Sequence, residues 1–327
     1  MNNVTNNPLL TILITTYNRS IALDAVLNML ASYQEKGLLF NVLVSDDCST
    51  DNTQEIGKKW TSKIKGFSFI QTKQNMGMDN NFQNVYNNFH TDYCWLLGDT
   101  RYISFESLST ILDILSTSQY DALILRCRNE MPHERIIYNE INNLMSQQGW
   151  HITNNASCII PKHFINKYLY HRYFGTTFLH MGIFVENLCM QKHWSVLYLG
   201  DVNITEMNIE NFNKVGWTKH PFLNFGKFWY EFIMSLPNQI NIDIKHKVLK
   251  DHDRYTHIFS ISDVHRQIVM YRKTYVNSYL ENRKYMPYVI DKPLWIYDLL
   301  IRITPINFYM TLFNIYQFLK KLRCSNK

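Results

Sequence analysis

Three polar clusters in the first hundred residues each stand directly after an apolar run. Thr16-Tyr17-Asn18-Arg19 follows Leu9–Thr15, Asp46-Asp47 follows Phe40–Ser45, and Gly98-Asp99-Thr100-Arg101 follows Tyr93–Leu97. Tyr17 can stack on a ring, and a carboxylate such as Asp46 accepts from an imide N–H. Arg19 and Arg101 are suited to phosphate oxygens, while Asp99 offers a hard oxygen of the kind Mg2+ or Mn2+ prefers. A solvated loop residue is an equally good account of Arg101.

The elements that must position these residues alternate apolar and amphipathic segments, the pattern of βαβ units. Strands are predicted at Leu9–Thr15, Phe40–Ser45, Phe67–Gln71 and Tyr93–Leu97. Helices are predicted over residues 20–35, from the Ser49-Thr50-Asp51-Asn52 caps through Trp60, and over Asn81–Asn88 after Gly77. A helix at Phe105–Thr117 and a strand at Ala122–Arg126 continue the theme. Residues 128–156 read as polar and irregular. Cys158–Pro161 is a short strand, Met181–Lys192 a helix and Val196–Leu199 a strand, and from about Gly216 the pattern turns to aromatic-rich helices. In an open α/β sheet the carboxyl ends of the strands line the ligand crevice, so three polar clusters at three strand ends would converge there.

Composition narrows the classes. The 327 residues carry 33 Lys+Arg against 27 Asp+Glu, a formal net charge of +6, with 46% hydrophobic and 14% aromatic residues. Such a chain builds a sizeable core, and a mild, unclustered charge gives no reason to expect nucleic acid as partner. Six cysteines stand far apart with no Cys-x-x-Cys pair, which excludes a zinc ribbon and argues for reduced thiols. The N-terminus lacks the pattern of a signal peptide, and no run approaches the roughly 18 apolar residues of a membrane span. A cytoplasmic protein is expected.

Ile12-Leu13-Ile14-Thr15-Thr16-Tyr17-Asn18-Arg19, Val44-Ser45-Asp46-Asp47-Cys48-Ser49-Thr50-Asp51-Asn52-Thr53, Asn75-Met76-Gly77 and Trp95-Leu96-Leu97-Gly98-Asp99, in that order, resemble the family 2 glycosyltransferases. These are inverting enzymes with the GT-A fold, a Rossmann-like, mostly parallel α/β sheet. The resemblance covers about residues 8–200 and leans towards bacterial, abequosyltransferase-like members that build O-antigen or capsule. It implies a GT-A domain over residues 1–215 and a helical C-terminal extension over 216–327. It further implies transfer of one sugar from a nucleotide-diphosphate sugar to a glycan or polyprenyl-diphosphate-linked acceptor, in lipopolysaccharide or capsule synthesis.

By the same resemblance Thr16, Tyr17, Arg19, Asp46, Asn75, Gly77 and Arg101 would bind the nucleotide sugar, Thr16, Tyr17 and Arg19 lying under base and ribose. Asp99 would bind Mg2+ or Mn2+ across the diphosphate. The pattern's first carboxylate is replaced by Leu97, so metal binding would be weak and completed by substrate, or Arg101 would supply part of the charge. An inverting transfer needs a base for the acceptor hydroxyl. Aligning the helix on its Lys192-His193-Trp194 end brings His180 to that position, where a structural histidine is an equally good account; Glu186, two turns into the helix, is the runner-up and better suits an ion pair or a cap. From its own composition the loop 201–217 could close over the acceptor with Trp217 stacking on it, and an exposed polar loop is an equally good account.

No Gln-x-x-Arg-Trp motif follows, which argues against a processive enzyme. After Pro305 an apolar stripe of Tyr309, Leu312, Phe313, Tyr316 and Leu319 leads to Lys320, Lys321 and Arg323. Such a helix suits either core packing or peripheral attachment to an anionic membrane surface. Two rival functions stay open: a sugar nucleotidyltransferase, which lacks its glycine-rich phosphate loop here, and a degenerate, non-catalytic GT-A binding or assembly subunit.

Overall fold

Leu10, Ile12, Leu13 and Ile14 are all fully buried, as expected of a strand covered on both faces by helices. In the computed structural model, which describes residues 7–209 and 220–303 with Thr311 and Ile315, this run is β1 (Leu10–Thr16). There follow α1 (Ser20–Glu35), β2 (Asn41–Asp46), α2 (Thr53–Thr61), β3 (Phe67–Gln71), α3 (Met78–Asn88), β4 (Tyr93–Leu96) and β5 (Arg101–Tyr102). The chain continues through α4 (Phe105–Ser116), β6 (Ala122–Arg126), β7 (Arg135–Tyr138), α5 (Ile141–Gln148), β8 (Cys158–Pro161), α6 (Lys167–Tyr173), α7 (Leu179–Met190), β9 (Val196–Asn203) and β10 (Thr205–Glu206).

Eight strands form one sheet in the order β3-β2-β1-β4-β8-β6-β9-β7. β1 lies between β2 and β4, parallel to both, with Thr16 opposite Asp46. Only β8 and β7 run against the rest. The sheet is therefore mostly parallel, as predicted, and strand order reverses beside β1, which leaves a crevice over the ends of β1, β2 and β4. Short β5 and β10 pair antiparallel outside the sheet, with Arg101 opposite Glu206.

The segment read as irregular holds β7 and α5. Ile136 and Ile137 are flanked by polar residues, so β7 carries too short an apolar run to stand out, and its pairing with β9 alone makes it a strand. α3 starts at Met78 and α7 at Leu179, and β9 runs on to Asn203. α6 was not anticipated either; its Leu169, Tyr170 and Tyr173 are buried, but seven residues are too few to show a period.

The chain divides into two compact units, Met1–Lys214 with Leu236–Ile240, and Val215–Ser235 with Asn241–Lys327. The second is helical, with α8 (Trp229–Ser235), α9 (Ile242–Thr256), α10 (Ile261–Asn282), α11 (Met286–Val289) and α12 (Leu294–Asp298). Much of the aromatic surplus is packed there: the Phe222 ring lies 5.4 Å from Phe259, 4.7 Å from Tyr275 and 5.2 Å from Tyr279. Among the described residues no helix is long and apolar enough to cross a membrane. Trp217 and the C-terminal stripe with its basic end lie outside the described residues.

Candidate functional site

The turn after β1 is held from β2. Asn18 adopts a left-handed conformation (φ 52°), which asparagine tolerates better than most side chains. Its N–H donates to Ser49 Oγ at 2.7 Å, and its Oδ1 accepts from Thr50 N at 2.7 Å. Ser49 in turn donates, through its hydroxyl and its N–H, to Asp46. Asp51 accepts from Ser20 N at 3.0 Å and from Thr53 N at 3.1 Å, so it ties together the starts of α1 and α2, which assigns it the cap role.

Asp46 is fully buried. Besides Ser49 it accepts from Gln71 Nε2 at 3.0 Å, and burial pushes its carboxyl upward against those hydrogen bonds. An ionised carboxylate has about four acceptor positions, so three donors leave little capacity for a nucleobase. Tyr17, by contrast, is 44% exposed. Asp47, part of the Asp46-Asp47 cluster but given no role from the sequence, accepts from Met76 N at 2.8 Å, Gly77 N at 2.9 Å and Thr72 Oγ1 at 3.1 Å. It thereby pins the Asn75-Met76-Gly77 turn to the end of β2. Gly77 stands at φ 83°, ψ 168°, a region open essentially to glycine alone.

Asp99 is presented by Gly98 (φ 85°) just past β4. Its Oδ2 accepts from Thr16 Oγ1 at 2.9 Å and its Oδ1 from Arg19 Nη1 at 2.7 Å. The side chains of this ion pair are 12% (Arg19) and 6% (Asp99) exposed. Burial pushes the Asp99 carboxyl upward, and the Arg19 guanidinium opposes it. Arg19, expected under base and ribose, therefore stands on the residue expected to hold metal. Arg101 leans instead towards Glu206, at 3.4 Å.

A divalent cation at Asp99 fits this donor set poorly. Both carboxylate oxygens are already engaged, and Leu97, where a second carboxylate would stand, is a fully buried core residue. Among the described residues no group of three His, Cys, Asp or Glu side chains is placed to hold a metal. Taking one partner from a buried ion pair costs about 3–5 kcal/mol, so a cation would have to overcome that and Arg19's charge.

His180 lies in the first turn of α7, its ring edge-on to Phe82 at 5.7 Å. Nε2 is 3.1 Å from Thr153 O. A carbonyl only accepts, so in the neutral ring the proton sits on Nε2 and Nδ1 keeps its lone pair. Nδ1 is buried without a hydrogen-bond partner, and burial lowers the imidazole pKa to about 4. Glu186 is buried too, pairing with Arg172 Nε at 2.9 Å and accepting from the Tyr173 hydroxyl. This is the ion pair that was the alternative to its use as a base.

Asp79 escaped the sequence reading. It is buried, its Oδ2 accepts from Gly175 N at 2.8 Å and Thr177 N at 3.4 Å, and its Oδ1 has no partner. Thr177 stands at φ 69°, which is strained for a β-branched residue, so Asp79 holds a strained turn three residues before His180. The available signal was a carboxylate one turn before Phe82 on the apolar face of α3. Asn81, on the same helix, donates to Ser45 O at 3.2 Å beneath the β2 end. A cavity of about 620 Å³ lies at the opposite, amino-end edge of the strands, lined among others by Asp92, Tyr93, Tyr120 and Asp121, away from these residues.

A mostly parallel sheet with polar groups gathered at its carboxyl edge is the architecture of the GT-A glycosyltransferases, and solved structures of that fold match this one. The structure matches Staphylococcus aureus TarS 1–349 in complex with UDP-GlcNAc at a TM-score of 0.55 and 15% identity, covering 86% of this chain and 81% of that one. It matches the mannosyltransferase PcManGT from Pyrobaculum calidifontis, in complex with GDP-Man and Mn2+, at a TM-score of 0.50 and 12% identity, covering 87% and 83%. Residues 11–184, more than half of the sequence, match glycosyl transferase family 2, and the chain belongs to that family. Abequosyltransferase RfbV of Salmonella typhimurium is 32% identical over 115 residues, 35% of this chain and 34% of that protein. The chain thus spans about a third of the length of that curated relative.

Proposed function

We propose that the chain transfers a single sugar, with inversion, from a nucleoside diphosphate sugar to a hydroxyl of a glycan acceptor, lipid-linked, in bacterial surface polysaccharide synthesis. The observation that carries this is the hydrogen-bond network drawing Thr16, Arg19 and Asp99, Asn18 with Ser49 and Asp46, and Asp47 with Gly77 to the adjacent ends of three parallel strands. Exposed Tyr17 stacks on the base. Asp46 takes the base N–H on its remaining lone pair or in exchange for Gln71. Arg19 and Arg101 face the diphosphate, with Asn75 and Gly77 shaping the turn beside it. The acceptor oxygen attacks the anomeric carbon as the bond from that carbon to the phosphate oxygen breaks. The nucleoside diphosphate leaves and the hydroxyl proton passes to His180 Nδ1. Because Nδ1 is enclosed, acceptor binding must open its cover. The donors around Asp99 leave no ready site for Mg2+ or Mn2+ as a Lewis acid on the leaving group. Peripheral attachment on the cytoplasmic face of the membrane would bring the protein to a lipid-linked acceptor.

A non-catalytic binding subunit is the second reading, favoured by the ion-paired Asp99. A panel of UDP-, dTDP-, GDP- and CDP-sugars separates the two. Donor hydrolysis or transfer that is lost in Asp99→Ala, with the melting transition kept, supports the enzyme. Stabilisation by no nucleotide sugar refutes it.

A further inference from the structure

We infer that Arg19 takes the place of a divalent cation, so that this chain binds the diphosphate of its donor without metal. The inference rests on the nucleoside diphosphate reading above and adds to it the nature of the positive charge at the site.

Four observations converge. Asp99, the one carboxylate at the end of β4, gives Oδ1 to Arg19 Nη1 at 2.7 Å and Oδ2 to Thr16 Oγ1 at 2.9 Å. The second carboxylate position is Leu97, whose fully buried side chain belongs to the core around β1 and β2. The nearby aspartates are committed elsewhere, Asp46 to Ser49 and Gln71, Asp47 to the amides of Met76 and Gly77, and Asp51 to Ser20 and Thr53. Finally, Arg19 is fixed at the turn between β1 and α1, which the Asn18–Ser49 and Asn18–Thr50 hydrogen bonds anchor to β2. A dication needs several oxygen ligands at one point and would have to displace a cation already in place. A guanidinium has five N–H donors in a planar fork, and one edge can stay on a carboxylate while the other meets a phosphate oxygen. Asp99 then acts by positioning Arg19, with Thr16 fixing the other carboxylate oxygen.

The test uses the full chain, purified in EDTA, and calorimetric titration with UDP, dTDP, GDP and CDP, repeated with excess Mn2+. The expected result is that at least one binds in EDTA and that Mn2+ tightens it by less than about threefold. Arg19→Ala should weaken that binding in EDTA by more than about tenfold and make it respond to Mn2+, because Asp99 is released; Arg19→Lys, which keeps the charge, should recover part of the loss. Should Arg19→Ala fail to fold, Mn2+ titration of the wild-type chain followed by electron paramagnetic resonance replaces it, with no uptake of the ion expected. Binding of a nucleotide only with Mn2+, or tightening of more than about tenfold by it, overturns the inference and leaves the nucleotide reading standing. No binding of any of the four under either condition overturns both.

Discussion

His180 makes acid stability a quantitative test of the packing between α3 and α7. Its ring is enclosed, with Nε2 on the Thr153 carbonyl and Nδ1 without a partner. The imidazole pKa falls from 6.5 to about 4, chiefly through burial. Between those values the unfolded chain binds a proton that the folded chain refuses, so stability falls as pH falls through 6.5 and stops falling below about 4. One pKa unit corresponds to about 1.4 kcal/mol, which gives about 3 kcal/mol across the whole window and about 2 kcal/mol between pH 7 and pH 5. His151, lowered to about 3, adds a loss of the same sign. The upward-shifted carboxyls of Asp46, Asp79 and Asp99 act in the opposite direction. Comparison with His180→Gln removes these common contributions, since a glutamine amide can still donate to Thr153 O but does not titrate. Urea unfolding at pH 7 and pH 5 should show the wild type losing about 2 kcal/mol more than the variant. Parallel losses, within about 0.5 kcal/mol, would refute the assignment of a neutral, enclosed imidazole.

Asp47→Ala removes the acceptor for two backbone amides and should cost about 2–3 kcal/mol, with faster hydrogen exchange at Met76 and Gly77; unchanged exchange there would contradict its role as a pin. Glu186→Gln should lower the urea midpoint by the equivalent of about 2 kcal/mol through weakening of the Arg172 and Tyr173 contacts. A selective fall in kcat with unchanged unfolding would instead return Glu186 to the role of base. Gly182→Ala would place a methyl 2.4 Å from Cγ of Tyr173, so α7 and α6 must shift, and thermal unfolding should register a loss of about 1–3 kcal/mol.

The sequence by itself determined where the strands β1, β2 and β4 run and which polar residues stand at their ends. Short runs of about four to eight residues, apolar on both faces and bounded by turn-forming polar clusters, suit interior strands better than helices, and β1, β2 and β4 fall within one or two residues of their predicted bounds. It did not determine β7 or α6, whose apolar runs are too short to show a period, and α5 went unread although Ile141, Leu144 and Met145 stand at helical spacing behind a Glu140 cap, because its surroundings are polar.

At the site, residue types showed that Thr16, Arg19, Asp46 and Asp99 stand at strand ends, but not which pairs would touch. Arg19 and Asp99 are 80 positions apart along the chain, and only the parallel pairing of β1 with β4 brings them to 2.7 Å. That contact changes the chemistry of both: an aspartate that reads as a metal ligand in one dimension is, in three, the partner of an arginine. The same holds for Asp79, whose buried contact with the 175–177 turn depends on α3 packing beside α7. Hydrophobic period is a local property and is carried by the sequence, whereas the pairing of charges depends on strand order and distance, which the folded chain alone supplies.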